Sequence, residues 1–335
     1  MEGHEREYLV SKIRMGCVID RQYKILPFSL LDIISSKYIY EESYKGCLDA
    51  GLMTKQETLE WAEFQGLWSD EQDDLVERSE KDIEEMKLKI FEDFFIKKKR
   101  DKLKNQKNSL QRALNNLYYK KSKVTDNCAE SLAEQDRLSW LIKKSVKLSD
   151  KNFDIEQNSQ DIITKYRHDA VAEDVIRDLA RNEPWRTFWT IAQKEGRKFF
   201  KYYKDRDYTY NQKNLMIWSI TYDNIQESLD CPGEDIINDD DALDGWFISQ
   251  RRKREKEKSE KKWGDDKHIN ATDVFIVSDE EEAKDIYSIN SNESLGIIRE
   301  RQAALAQKGS LKYEDVPDLR RDITRRQMEG IKNHG

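Results

Sequence analysis

The sequence predicts a mainly α-helical protein, and three observations lead to this fold class. Charged residues make up 37% of the 335-residue chain and apolar residues another 37%, a balance typical of long helices whose outer faces lie in water. The chain has only 13 glycines and 4 prolines, too few for the frequent tight turns of a β-sandwich or barrel. Apolar residues recur at three- and four-residue spacing over long stretches that contain neither glycine nor proline.

Residues 1–70 are predicted to form a small helical head. Apolar residues at helical spacing follow Pro27 and end at Gly51, which is a natural helix stop. Two segments then have the spacing of a capping box and are predicted to start helices: Thr54 to Glu57 and Ser69 to Gln72. The side chains predicted to form the core of the head lie between these starts: Trp61, Phe64, Leu67 and Trp68.

Residues 71–148 are predicted to form a long antiparallel helical hairpin. From Glu71 to about Lys121 the chain has no glycine or proline, and apolar residues are mostly three, four or seven apart. The polar stretch 122–126 interrupts this pattern, which then resumes. We therefore expect the long helix to turn at 122–126 and a shorter helix to pack against it, with a kink near Lys97–Lys102. The narrow apolar stripe also predicts oligomer or partner contacts through this hairpin.

Residues 149–230 are predicted to form an aromatic-rich helical module that follows a polar hinge. Pro184 is expected in a first helical turn, where its missing N–H costs nothing. Aromatic side chains crowd the stretch that follows it, interleaved with lysine and arginine. Two interpretations remain open: a small aromatic core, or a docking face in which Trp185 and Trp189 bind a partner, since tryptophan, tyrosine and arginine dominate binding hot spots.

Residues 231–335 are predicted to form an extended tail whose short elements become ordered on a partner. Its acidic run, which contains Asp239 and Asp244, is predicted to be solvated or to face a partner, with attraction to the basic segment that follows. The apolar residues between these charges are predicted to be the anchor that enters a partner's groove: Trp246, Phe247 and Ile248. The elements predicted further along are a strand at 272–277 and helices at 279–289, 292–307 and 318–330.

Two basic segments offer a different use of the chain. Lys97–Lys107 has seven basic side chains and one acidic side chain, and Arg251–Lys262 has eight basic and three acidic. The candidate phosphate-binding residues in them are Lys98, Arg100, Arg251, Arg252 and Arg254. The glutamates within the second segment favour instead a solvated helix with i,i+4 pairs such as Arg251 with Glu255.

The sequence contains no recognised catalytic motif. It lacks a glycine-rich phosphate loop, a serine elbow, an HExxH pair and a deaminase signature. The acidic run does not match a calcium loop, and the four cysteines are far apart with no CxxC. We expect a non-enzymatic, soluble, intracellular protein with no catalytic residue, metal, cofactor or membrane association. A nuclease site built from acidic residues stays open, because carboxylates are too abundant for their spacing to identify one.

Two groups of stretches resemble those of tailed-bacteriophage structural and tail-assembly proteins. The first comprises EREYLVSKI, YKILP, YIYEESYKGCLDAGLMT and GLWSDEQ, and the second CPGEDIINDDDALDGWFISQRRKREKEK, DVFIVSDEEEAKDIYSIN and ESLGIIRERQ. The resemblance implies a structural or chaperone role in the tail or baseplate, with other phage structural proteins as partners. It also implies a place in the host cytoplasm during assembly, and it leaves open whether the protein stays in the virion. It transfers no site residue.

The alternative function is nucleic-acid binding through residues 97–107 and 251–262. A steep fall of affinity with salt distinguishes such phosphate contacts from a hydrophobic anchor. A homo-oligomer is compatible with either function.

Overall fold

The computed structural model describes residues 3–149 and 153–263, with the backbone alone for 259–263. The described residues form twelve helices and three short strands, which confirms the mainly helical fold. The chain divides into two compact units, residues 1–245 and residues 246–335. The elements predicted beyond residue 263 lie outside the described residues. Among those described, no helix is both long and apolar enough to cross a membrane.

The N-terminal part of the first unit contains three helices and a short β-hairpin. Its elements in chain order are α1 (Gly3–Met15), β1 (Val18–Ile19), β2 (Tyr23–Ile25), α2 (Leu30–Asp49) and α3 (Lys55–Phe64). The predicted capping box at Thr54 is present, since its N–H donates to Glu57 Oε2 at 2.8 Å and its Oγ1 accepts from the Glu57 N–H. Local sequence therefore sets where α3 begins.

The structure contains a helical hairpin in this region, but it is formed by a different pair of helices from the predicted one and turns earlier. The helices that follow α3 are α4 (Asp70–Glu92), α5 (Lys97–Thr125) and α6 (Ala129–Ser145). The α4 and α5 helices are the antiparallel pair, because Lys121 near the end of α5 binds Asp73 at the start of α4. Residues 93–96 form their turn, whereas the break near 126 leads to α6, which packs on α2.

The earlier turn is stabilised by an apolar cluster that a single long helix could not form. Phe94 in the turn is buried against Ile90 of α4, and Leu103 of α5 packs on the same cluster. Folding back at residues 93–96 thus buries apolar surface from both helices at once. The polar break predicted as a kink near Lys97–Lys102 is the start of a separate helix.

The predicted boundaries after residues 70, 148 and 230 do not coincide with the division at 245/246. A three-stranded antiparallel sheet crosses the first of them, with β2 between β1 and β3 (Val146–Leu148). Tyr23 and Ile25 of β2 are buried with three isoleucines from later helices: Ile142, Ile162 and Ile163. The head therefore shares one core with segments more than a hundred residues away.

The remaining helices complete the first unit and enter the second. They are α7 (Ser159–His168), α8 (Glu173–Arg181), α9 (Trp185–Glu195), α10 (Tyr210–Glu227), α11 (Glu234–Ile237) and α12 (Asp240–Trp263). The α8 helix packs against α9 and α10. Residues 231–263, predicted to belong to an extended tail, are thus largely helical.

The predicted core of the head is only partly correct. Trp68 is buried at 2% exposure, whereas Trp61, Phe64 and Leu67 are 46%, 86% and 54% exposed. The α3 helix turns Trp61 and Phe64 outward because its buried face is formed by the small residues Thr58 and Ala62, and Leu67 lies beyond the end of that helix.

Candidate functional site

Four aspartates at the start of α12 form the most highly connected group of charges in the described structure. We call Asp239, Asp240, Asp241 and Asp244 the aspartate cluster. Asp239 Oδ1 accepts a hydrogen bond from the Ala242 N–H at 3.3 Å, so it satisfies one of the free donors at the helix start. Negative charge is favourable there because the N-terminal end of a helix carries partial positive charge.

Lysines of the α4–α5 hairpin bind one side of the aspartate cluster. Lys87 of α4 lies 2.7 Å from Asp244, and Lys107 of α5 lies 2.6 Å from Asp241. A third pair joins Lys104 to Asp239. Cations of α4 and α5 therefore meet the acidic run in place of the solvent or partner expected from the sequence.

Arginines of α8 bind the other side of the cluster. Arg177 lies 3.2 Å from Asp240 and 2.9 Å from Asp244, and its side chain is only 7% exposed. Its guanidinium also stacks over the Trp218 ring at 4.3 Å. Burial alone would lower the pKa of Arg177, but the two carboxylates outweigh it and raise that pKa. Arg181 binds Asp240 at 2.6 Å and the Ile237 carbonyl oxygen at 3.1 Å.

The cluster therefore joins α8 to the α4–α5 hairpin through the start of α12. The carboxylate of Asp244 binds both Lys87 of α4 and Arg177 of α8. Spacing in the sequence gave no sign of this, because the lysine partners are 134 to 157 residues away. The arrangement stabilises a junction between helices and presents no free carboxylate pair for acid–base chemistry.

The tryptophans predicted as partner-binding residues are part of the core. Trp185 and Trp189 are 0% and 2% exposed. The indole N–H of Trp185 donates to Ser219 Oγ at 2.7 Å, and that of Trp189 donates to Asp223 Oδ2 at 2.7 Å. The docking interpretation is therefore corrected in favour of the aromatic core, in which both polar ends are satisfied internally.

Asp223 provides a pH-dependent contribution to this core. Burial tends to raise the pKa of Asp223, but hydrogen bonds from Trp189 and Arg186 outweigh it and lower that pKa. The stabilisation is therefore complete above the ordinary carboxyl pKa of ~3.9 and is lost as pH falls through the lower folded value. We expect Asp223→Asn to lower the free energy of unfolding by about 1–2 kcal/mol at pH 7.

Urea unfolding at several pH values tests this expectation. The difference between Asp223→Asn and the wild type should shrink below about pH 4, because the wild-type carboxyl is then protonated. Asp49→Asn at the exposed end of α2 is the control, with a change within ~0.5 kcal/mol. A difference that stays constant down to pH 2.5 would show that the charge of Asp223 does not stabilise the core.

The predicted anchor on α12 is mostly buried. Trp246 is 6% exposed and Ile248 is 9% exposed, while Phe247 is half-buried. The Trp246 and Phe247 rings lie 5.1 Å apart. In this conformation the cluster does not present the exposed apolar anchor that the sequence predicted.

The candidate phosphate-binding residues lie in different settings. Lys98 is exposed on α5, whereas Arg100 is half-buried over the Phe94 ring at 5.0 Å. The three arginines of the second segment are exposed on α12: Arg251, Arg252 and Arg254. Arg251 lies 3.9 Å from Glu255, the i,i+4 pair expected for a solvated helix.

A cleft of about 620 Å³ lies beside the β1–β2 hairpin. Its lining is mostly apolar, and both lysines that line it are already paired, Lys12 with Asp169 at 2.7 Å and Lys213 with Asp207 at 2.5 Å. Burial raises the pKa of Tyr166 in the cleft to about 12. This phenol is thus a neutral hydrogen-bonding group at pH 7 and not a base.

An exposed apolar face on α2 was not recognised from the sequence. Leu30, Leu31, Ile34 and Tyr38 are 51%, 71%, 66% and 66% exposed. Their spacing places them on one side of the helix, and Ser36 on the opposite side is fully buried against the fold. The spacing of these residues predicts a helix, but periodicity does not show which face of the helix the core covers. We call these four residues the α2 apolar face.

Comparisons with protein-family models, with curated proteins and with solved structures return no match. Within the described residues, no group of three or more histidine, cysteine, aspartate or glutamate side chains is placed to hold a metal ion.

Proposed function

We propose that this protein is a non-enzymatic structural or assembly component of a tailed bacteriophage that works by binding a second copy of itself through the α2 apolar face. The exposure of that face is the observation that carries the self-association. Four large apolar side chains, each at least half exposed, lie together on two turns of one helix. Monomeric proteins rarely expose large contiguous apolar patches, and those that are exposed often mark sites of protein–protein interaction.

The free energy available from this face is enough for a reversible association. Burying the remaining exposed part of each side chain contributes on the order of 1–2 kcal/mol, so the four together contribute several kcal/mol. Lost rigid-body freedom offsets a large part of that. A dimer in the micromolar range fits this balance, and additional contacts in an assembly would tighten it.

A two-fold arrangement of two α2 helices makes the face self-complementary. In an antiparallel pair centred near Ile34, Leu31 of each copy lies opposite Tyr38 of the other, so apolar surface meets apolar surface. Glu41 of each copy then lies near the start of the other α2, where the positive end of the helix dipole favours negative charge. Arg206, which binds the Pro27 carbonyl oxygen next to this helix start, adds a cation. A two-fold interface of this type closes on itself and gives a dimer.

The phage role rests on the sequence resemblance given above. The geometry supports it in kind, because a helical protein with an exposed apolar face and an ion-paired junction between helices suits assembly through protein contacts. Other phage structural proteins are then the partners of the dimer. The host cytoplasm is the place of assembly, and the virion is the second location if the protein stays in the particle.

Sedimentation equilibrium of the full chain at ~1–100 µM tests the self-association. We expect a concentration-dependent dimer, and we expect Leu31→Asp with Ile34→Asp to weaken it by ~30-fold or more, because two buried apolar contacts are lost. Lys45→Glu is the matched control, because Lys45 lies on the same face of α2 but beyond the part that the two helices share in the proposed dimer. Its dissociation constant should stay within ~3-fold of the wild-type value.

Two other outcomes separate the parts of the proposal. A wild-type protein that is monomeric at all of these concentrations, or a dimer indifferent to the double substitution, overturns the role of α2. A dimer that dissociates as expected but is absent from tail intermediates and from purified virions overturns the phage role alone. At a protein concentration of ~1 µM or below, where the wild type is mostly monomeric, thermal unfolding of the double variant should match that of the wild type within ~0.5 kcal/mol, because both side chains are exposed.

A further inference from the structure

The solvent-facing side of α5 carries a continuous stripe of residues of the types that bind phosphate. Its members, which we call the α5 stripe, are Lys98, Lys102, Asn105, Ser109, Arg112, Asn116, Lys120 and Lys123. All of them are exposed, and their spacing keeps them on one side of the helix. Lysine, arginine, asparagine and serine are among the side chains that contact phosphates in nucleic-acid complexes.

Ion pairing separates this stripe from the inner side of the same helix. On the inner side, Lys104, Lys107 and Lys121 each bind an aspartate. On the outer side, none of the five cations of the α5 stripe forms an ion pair within residues 3–149 and 153–263. The neighbouring helix α4 follows the usual pattern of a solvated face, with i,i+4 pairs at Arg78–Asp74 and Lys81–Glu77.

The first turn of α5 is also arranged against helix stability. Lys97, Lys98, Lys99 and Arg100 open the helix, and no acidic residue lies in its first turn. Lys99 and Arg100 pair with Asp93 and Asp101. Lys97 and Lys98 form no such pair among the described residues, and the helix dipole opposes them at a cost of ~0.3–1 kcal/mol each. A face that is only solvated would not need this cost, whereas an anion bound at the helix start would offset it.

We propose that the α5 stripe binds the phosphate backbone of double-stranded nucleic acid without reading its sequence. The stripe extends ~38 Å along the helix, close to one turn of duplex at ~34–36 Å. A helix laid parallel to the duplex axis meets the backbones near both ends of the stripe and near Arg112. This activity is separate from self-association through α2, and it extends the phosphate-binding candidates to Lys102, Arg112, Lys120 and Lys123.

Fluorescence anisotropy of the full chain with a 20-base-pair duplex of mixed sequence tests the proposal at 50–200 mM KCl. With four to six phosphates neutralised, the plot of log affinity against log salt should have a slope of about −4 to −5. The triple variant Lys98→Gln, Lys102→Gln and Arg112→Gln should flatten this slope by about 3 and weaken binding at least ~100-fold at 100 mM KCl.

The matched control is Arg78→Gln, Lys81→Gln and Lys89→Gln, three exposed cations of α4 whose removal changes the net charge equally. It should leave the slope within ~1 of the wild type. No binding at 50 mM KCl, or equal weakening by the two triples, overturns the proposal. Tighter binding to polyglutamate than to duplex also overturns it and assigns the stripe to an acidic protein surface. Helix content by circular dichroism should match in all three proteins, because glutamine and lysine have similar helix propensities.

Discussion

Replacing Gly245 with alanine is expected to destabilise the protein by about 3 kcal/mol or more. A Cβ atom at this position would lie 2.1 Å from the Lys87 carbonyl oxygen and 2.7 Å from Phe91 Cβ. The first of these neighbours is backbone of α4, so no rotamer change can relieve the clash. The start of α12 would have to move away from α4, which would disturb the Lys87–Asp244 pair and the packing of Ala242. Overpacking of a tight site typically costs ~1–3 kcal/mol, and a backbone clash lies at the upper end.

Urea unfolding of Gly245→Ala and of Gly46→Ala measures this effect with a built-in control. Gly46 also lies in a helix, and a Cβ there would meet nothing within 4 Å. Alanine at Gly46 should therefore stabilise the protein by up to ~1 kcal/mol, because alanine has the higher helix propensity. We therefore expect the change in the free energy of unfolding to have opposite signs at the two glycines. A loss below ~1 kcal/mol for Gly245→Ala would contradict the close approach of α12 to α4.

Features set by neighbouring residues were the ones the sequence predicted well. The start of α3 follows from Thr54 and Glu57, which cap each other, and the helical character of residues 70–145 follows from apolar spacing without glycine or proline over most of that stretch. The turn of the hairpin was misplaced because it depends on Phe94, which is stabilised by a residue of the other helix, Leu103. The apolar pattern is interrupted by polar residues near 97–102 and again at 122–126. Packing, which the sequence does not show, determines at which of them the hairpin turns.

The candidate surfaces were predicted less well for the same reason. Helical spacing identified α2 but could not show that Leu31 and Ile34 point away from the core. Trp185 and Trp189 combine hot-spot composition with full burial, so composition left a docking face and an aromatic core both open, whereas packing places the two side chains in the core. Lys98 was recognised by its charge, whereas the paired and unpaired sides of α5 became visible only with the aspartate cluster in place.

Arg177→Met is expected to destabilise the protein by ~3 kcal/mol, at the lower end of the range for breaking a buried ion pair. Methionine is an unbranched apolar side chain, so it replaces most of the packing of the arginine stem. Asp240 and Asp244, however, each lose one cationic partner. Both carboxylates are partly exposed, with 30% and 23% of their side-chain surface accessible, so water screens part of the loss. The stacking of the guanidinium on Trp218 is lost as well.

Salt dependence separates this buried network from ordinary surface pairing. The loss in Arg177→Met should persist largely unchanged in 1 M NaCl, because a side chain that is 7% exposed is screened little. Lys81→Met is the control: its pair with Glu77 is 70% and 64% exposed, and its effect should be below ~0.5 kcal/mol and vanish in salt. Arg177→Lys should recover only part of the stability, since one ammonium cannot reproduce two separately directed guanidinium contacts. If the free energy of unfolding of Arg177→Met lies within ~0.5 kcal/mol of the wild-type value, the two pairs of Arg177 do not hold α8 to the aspartate cluster, and the Arg181–Asp240 pair must do so instead.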